Sequence, residues 1–584
     1  MMTQRPSARW PWIAALLLLL ASAPGCAGAP ERAPESSEQV ASALNAASDA
    51  AEEASRRRRP RLVVVVVFDQ LRADYMARFG ERFLPPRGES GEPGGFRYLM
   101  ETGAFYPLAA HQTLQGMTCP GHANISTGSW PARHGIALNS WVDPDTGAKT
   151  YCTFDPASPL VGPAEVKAGE GASPRALRGP TLGDEFKGSG RGSRVASVGI
   201  KDRGAIVLGG FGADAVLWFD DESGGWVTSR FYAPDGSLPP WIAPVNARLA
   251  QERGQELTVS VSPEGGPPWK VKSGSEEALA SPWGNAITVE AVEAAIDGLQ
   301  LGQPRASTGP EGAQAPGEVT DVLMVSFSSL DKVGHSVGPD DPRLSDQMVD
   351  SDRALARLLR TLEAKVPGGL SEVVVAVTGD HGVSPLPEVL RAQRVEVEVI
   401  DEKEVAKALD AGLKARFGEA KGGGWVVGMK YFHVVLNRAS IKASKLDIAE
   451  VEREAARLLA ATPGFIGALT ATDIRERRLP GGLLERQVLN GWVPGRSGDV
   501  VGISKAHAIP KGAPANHITG MSYDRYVPLI IGGFGIRPGL YPEAAEIVDL
   551  APTLAFIGGV LPPPLSEGRV LSECLDRDQL RPRF

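Results

Sequence analysis

"RLVVVVVFDQLRAD", residues 61 to 74, decides the fold. Five consecutive Val leave no polar face, so this segment reads as a strand buried on both sides. Strands of that kind belong to parallel sheets covered by helices. Comparable apolar runs recur at "RVASVGI" (194–200), "DVLMVSFSS" (321–329), "EVVVAVTG" (372–379) and "VPLIIGG" (527–533). Helical patterns lie between them, for example over 286–299, 343–364 and 545–557. Strand and helix in alternation predict an α/β fold with a mostly parallel sheet.

Residues 394–490 break that rhythm. "RVEVEVI", a helix over 402–417, "WVVGMKYFHVVLN", a helix over 446–461 and "FIGALTATDI" predict an inserted α+β cap. The core is then 61–393 together with 491–584. The Gly-, Pro- and Glu-rich stretches at 163–180 and 303–319 read as exposed loops.

The N-terminus carries a different signal. Arg5 and Arg9 precede the apolar run "WIAALLLLLA", and small residues follow. This order reads as a secretory signal over residues 1–26, too short for a membrane span. Cys26 follows Ala-Pro-Gly, which loosely resembles a lipoprotein cleavage box, so a lipid anchor at Cys26 is one expectation and plain cleavage the other. Residues 27–60, rich in Ala, Glu, Ser and Pro, read as a flexible linker ending in the solvated charge run "RRRRP". A periplasmic or secreted protein follows.

The chain has 584 residues, 42% hydrophobic and 22% charged, enough for a large core. A net charge of −8 without a basic stretch inside the body excludes nucleic-acid binding as the main function. Four Cys are not a disulfide scaffold, although Cys119 and Cys152 could pair in an oxidising compartment.

In open α/β sheets ligands bind beyond the carboxyl ends of the strands. Asp69 follows the first apolar run. Asp331 and then His335 follow the run at 321–329, and Asp380-His381 follow that at 372–379. Lys201-Asp202-Arg203 follow "RVASVGI", and His517 precedes "VPLIIGG". Carboxylates and imidazoles suit Zn²⁺ in an open catalytic site. Three Asp and three His are too many for one tetrahedral ion and suit two. Two ions about 3.5–4 Å apart stabilise both oxygens of an in-line displacement.

"GMTCPGHANISTG", residues 116–128, supplies the nucleophile. Pro120 fits the first turn of a helix and leaves Thr118 at its N-terminus, where N–H groups favour anions. Metal coordination activates such a hydroxyl. Cys119 reads as a buried or disulfide-bonded neighbour. A sulfatase-like signature fails, because Pro120 follows the Cys directly and no Arg stands where one is needed.

Taken together, "FDQLR", "MTCPGHANISTG", "RHGIALNSW", "IKDRGAI", "LDKVGHSVGP", "TGDHG" and "NHITGMSYDRYVPL" resemble the alkaline phosphatase superfamily. Within it, the chain is similar to the Thr-nucleophile, phosphate-irrepressible (PafA-like) alkaline phosphatases over residues 60 to 570. The resemblance implies two Zn²⁺, one held by Asp69, Asp380, His381 and Thr118, the other by Asp331, His335 and His517. It implies that Asn139, Lys201 and Arg203 bind phosphoryl oxygens. It further implies hydrolysis of small phosphate monoesters through a phospho-Thr118 intermediate; a monomer is expected. Lys201 and Arg203 match the extra charged oxygen of a monoester dianion. The alternatives are a nucleotide pyrophosphatase/phosphodiesterase with the same metals, a sugar-phosphate mutase, and a non-catalytic metal-binding lipoprotein. Among the remaining His, 122 and 134 are expected to hydrogen-bond structurally, and 111, 433 and 507 to be surface or loop residues. Trp218, Trp226, Trp241 and Trp283 are expected to pack rather than line a substrate path.

Overall fold

The computed structural model describes residues 58–581 apart from 144–145, 164–169, 262–266 and 306–318. The expected signal segment, Cys26 and residues 27–57 lie outside the described residues. The end of the Arg run is not a solvated tether. Arg59 is 7% exposed, and the Arg58 guanidinium pairs with Glu372 at 2.7 Å.

The first strand, β1 (Leu62–Phe68), is buried throughout. Alternate residues serve two cores: Leu62, Val64, Val66 and Phe68 face one, and Val63, Val65 and Val67 the other. Each such Val contributes about 1.5–3 kcal/mol relative to exposure, which is why the run admits no polar residue. The other long strands are β2 (Gly103–Ala110), β3 (Val195–Gly199), β4 (Ala215–Asp220), β5 (Gly225–Ser229), β6 (Asp321–Phe327) and β7 (Val373–Gly379). A later one, β12 (Tyr526–Gly533), completes the sheet. Their spatial order is β2-β12-β7-β1-β6-β3-β4-β5, with further strands at both margins, among them the eight-residue Phe154–Val161 beside β5.

β7, β1, β6, β3 and β4 are parallel, as the buried runs predict. β12 runs antiparallel to β7 and β2. Phe68 pairs in register with both Phe327 and Gly379, so β1, β6 and β7 end in one row. Phe68 and Phe327 stack at 4.8 Å directly beneath that edge.

Helices cover the sheet. Those that matter for the site are α1 (Thr118–Thr127), α2 (Asp202–Gly209), α3 (Pro282–Gly298), α4 (Ser329–Val337) and α5 (Pro342–Lys365). The stretch expected to form the cap contains α6 (Glu402–Phe417), β8 (Val426–Lys430), β9 (His433–Leu436), α7 (Ile448–Ala460) and β10 (Phe465–Thr470). Its four-stranded sheet has the order β8-β9-β11-β10, where β11 is Val500–Ser504. This sheet therefore takes a strand from beyond residue 490, which the expected boundary there would cut away. β11 is only five residues long and shows its role through its partners alone. Within the expected exposed loop at 163–180, Gly171, Ala172, Ser173 and Pro174 are buried. Among the described residues no helix is long and apolar enough to cross a membrane.

Candidate active site

The shared end of β1, β6 and β7 places Asp69 and Asp380 side by side, both fully buried. His381 follows at once, and Asp331 and His335 lie one turn apart on α4. His517 arrives from the segment leading into β12. Because β12 is antiparallel, its beginning lies at the carboxyl edge of the parallel strands.

Ligand atoms of Asp69, Asp380 and His381 lie within 4.8 Å of one another, and so do those of Asp331, His381 and His517. His381 thus stands between two groups, its ring stacked on that of His517 at 3.6 Å. The Nε2 atom of His335 lies 3.3 Å from Asp331 Oδ1 and 3.3 Å from His517 Nε2.

Backbone carbonyls set the tautomers. His381 Nδ1 donates to Gly382 O (3.0 Å), His335 Nδ1 to Ala515 O (2.9 Å) and His517 Nδ1 to Gly116 O (2.7 Å). A carbonyl only accepts, so each ring carries a proton on Nδ1, which leaves Nε2 as the atom available to a metal. His381 Nε2 then faces Asp69 Oδ1 and Asp380 Oδ2, each at 3.4 Å. Both His381 Nε2 and Asp69 Oδ1 are buried with no hydrogen-bond partner. Nitrogen and carboxylate oxygens this close in a desolvated site need a shared cation, a proton or a metal ion, between them. The donor set of oxygen and neutral imidazole nitrogen fits a divalent transition metal.

Burial, followed by the neighbouring Asp331 and Asp380 carboxylates, pushes the Asp69 carboxyl well above its usual range. Burial also opposes charge on Asp331, but Lys201, His335, His517 and His381 hold it well below that range. Burial likewise opposes charge on Asp380, and His381 and His122 hold it ionised. His517 is pushed well below the usual imidazole range by burial and by His381 and His335.

Thr118 is 1% exposed and opens α1 as its first residue. The first turn lies against the ligands. A Cβ on Gly121 would stand 2.5 Å from the Asp380 carbonyl oxygen, so only glycine allows this approach. His122 Nδ1 lies 2.9 Å from the Thr118 carbonyl and 3.1 Å from Asp380 Oδ2, while its Nε2 meets Ser326 Oγ at 2.8 Å. Asn139 Oδ1 accepts from the Cys119 N–H at 2.8 Å. Cys119 forms a disulfide with Cys152.

Lys201 immediately precedes α2, and its ammonium bridges Asp69 and Asp331. Arg203 donates to the Tyr151 hydroxyl (3.1 Å), which donates to Asp202 (2.7 Å). A cleft of about 510 Å³ opens beside Lys201 and Arg203, lined also by Tyr151, Phe154 and Trp218. Trp226 and Trp283 belong to the core instead.

Two expectations for His change. His111 and His433 are buried, not surface residues, and burial lowers each to about 4. His111 Nε2 donates to Gly379 O (3.1 Å), so its Nδ1 accepts from Asn124 (3.2 Å). The Ile136 N–H donates to His134 Nδ1 (3.1 Å), so His134 Nε2 donates to Asn124 Oδ1 (2.9 Å). This chain supports α1 from behind, and burial lowers His134 to about 3. The residue the sequence reading passed over is Gln70, which stands inside the quoted motif "FDQLR". No local pattern marks it.

The fold and this strand-end cluster define a class. The chain belongs to the Type I phosphodiesterase / nucleotide pyrophosphatase family, which it matches over residues 63–517, and so to the alkaline phosphatase superfamily of hydrolases. Among individual relatives, it is 29% identical over 551 residues to alkaline phosphatase PafA of Elizabethkingia meningoseptica, covering 89% of this chain and 95% of that protein. It is 30% identical over 550 residues to alkaline phosphatase PhoV of Synechococcus elongatus, covering 88% and 93%. The crystal structure of wild-type alkaline phosphatase PafA matches with a TM-score of 0.76 at 28% identity, over 88% of this chain and 99% of that one.

Proposed function

We propose that the protein is a secreted, two-zinc alkaline phosphatase that hydrolyses phosphate monoesters through a phospho-Thr118 intermediate. The observation that carries this reading is the convergence of six buried or half-buried ligands with Thr118 and with Lys201 and Arg203 at one sheet edge. Two Zn²⁺ held by Asp69, Asp380, His381, Asp331, His335 and His517 would supply Lewis-acid charge to the Thr118 hydroxyl and the transferred group.

The chain's own groups do the rest. The Thr118 oxygen attacks phosphorus in line and the alcohol leaves. Water then cleaves the phospho-Thr118 bond, releasing inorganic phosphate and restoring the hydroxyl. Thr118 is held by the first turn of α1, which the Asn139 amide oxygen fixes through the Cys119 N–H. That contact leaves the Asn139 NH₂ group for a phosphoryl oxygen. Burial opposes charge on Lys201, but Asp331 and Asp69 hold it protonated, a fixed cation beside both ligand groups. Arg203 adds a planar fork oriented by Tyr151 and Asp202. A monoester dianion carries the extra charged oxygen that this pair fits, so monoesters are favoured over the diesters suggested by the family's name.

The test compares p-nitrophenyl phosphate with bis-p-nitrophenyl phosphate at alkaline pH, with Zn²⁺ and with chelator. A strong monoester preference, lost with chelator and in Thr118→Ala, is expected. Lys201→Ala should cut monoester turnover on the order of 10²-fold and leave diester turnover nearly unchanged. A diester preference in the parent chain would overturn the monoesterase assignment while keeping the site. Small phosphate monoesters as the only partners, a monomeric state, and a lipid anchor at Cys26 against simple secretion complete the reading. Labelling with a radioactive fatty acid, compared with Cys26→Ser, decides the anchor.

A further inference from the structure

The Gln70 side chain is fully buried between the two ligand groups. Its backbone N–H donates to Asp380 Oδ1 at 3.0 Å, and its side-chain Nε2 donates to Asp331 Oδ1 at 2.8 Å. Asp69 precedes it in the chain. One residue therefore touches the carboxylates of both groups and is covalently bonded to the third Asp. The backbone accommodates this at φ +69°, a left-handed conformation that is uncommon for Gln. Such a conformation persists only where the surroundings over-determine it.

A second residue fits the first. Gly334 lies on α4 between Asp331 and His335. A Cβ there would stand 1.8 Å from Gln70 Oε1. Glycine inside a helix is otherwise unfavourable, by about 1 kcal/mol relative to Ala. Its absence of a side chain is what lets the Gln70 amide reach Asp331.

We propose that Gln70 is a positioning residue which, through Asp331 and with Gly334 as its seat, sets the spacing between the two metal-binding groups. This rests on the two-ion reading above. The amide N–H occupies one lone pair of Asp331 Oδ1 and orients the carboxylate, as hydrogen bonds to metal ligands generally do.

The test titrates Zn²⁺ into chelator-stripped full-length protein against a chromogenic chelator, reading two affinities. The wild-type chain is expected to take up two ions. Gln70→Met keeps the length but removes the donor, and should weaken one ion by about 10–100-fold while leaving the other within about threefold. Gly334→Ala alters no ligand side chain and should produce the same pattern. In a Gln70→Ala background, Gly334→Ala should cost nothing further, because the clashing amide is gone. Thermal unfolding of the stripped proteins guards against misfolding, since Gln70→Ala/Gly334→Ala should melt at or above Gln70→Ala. Wild-type affinities in Gln70→Met, or an undiminished Gly334→Ala loss in the Gln70→Ala background, would overturn the proposal. Fewer than two ions in the wild-type chain overturns the two-ion reading and Gln70's place within it. Two wild-type ions with unchanged variants overturns only the role of Gln70.

Discussion

The two proposed ligand groups are built differently. Asp69, Asp380 and His381 issue from the ends of adjacent, in-register strands and are fully buried. Asp331, His335 and His517 come from a helix and from the approach to an antiparallel strand, and the His335 side chain is 30% exposed. A strand in mid-sheet has hydrogen-bonded neighbours on both sides, so its end moves little. A helix turn and a loop depend on tertiary contacts such as the Ala515 and Gly116 carbonyls that hold His335 and His517. The first group is therefore the rigid half of the site and the second the adjustable half.

The largest expected effect comes from breaking the rigid half. Asp380→Asn should lower monoester turnover on the order of 10³-fold at saturating Zn²⁺, and His335→Ala on the order of 10²-fold. Steady-state kinetics with added metal reads both, and equal losses would erase the distinction.

Acid stability probes the support behind the rigid half. His111 and His134 remain neutral in the fold, lowered to about 4 and about 3, against about 6.5 when unfolded. Between those values the unfolded chain binds more protons. Their contribution is complete above about pH 6.5 and is lost as the pH falls toward 3. For His134 the loss amounts to about 2 kcal/mol at pH 5. Denaturant unfolding at pH 7 and pH 5 should show this difference, and His134→Gln should reduce the pH dependence by that amount. An unchanged pH dependence in His134→Gln would detach His134 from the stability of this half.

The smallest effect concerns exchange. Chelation of the zinc-loaded protein should be biphasic, with one ion leaving about tenfold faster, and His335→Ala should speed that phase alone. A single phase would mean the two groups release metal as one unit.

Much of this was legible in advance. The five Val of β1 state their double burial by composition, and the helices at 402–417 and 342–365 follow from spacing. Asp69, Asp380 and His381 follow directly from where the apolar runs stop. Other features left no local mark. The burial of His111 and His433, the participation of β11 in the cap sheet and the reach of Gln70 depend on partners hundreds of residues away in some cases.

The sequence by itself determined the alternation of buried strands and helices, the strand-end carboxylates and the helix that begins at Thr118. Hydrophobic periodicity and helix-start chemistry act over a few residues, so they can be read from those residues. Tertiary structure alone decided that β12 runs antiparallel, which brings His517 to the catalytic edge instead of the opposite one. It also decided the tautomers of His335, His381 and His517, through carbonyls none of which a pattern announces. Strand direction and hydrogen-bond partners are properties of pairs of segments, and a pair exists only once the chain has folded.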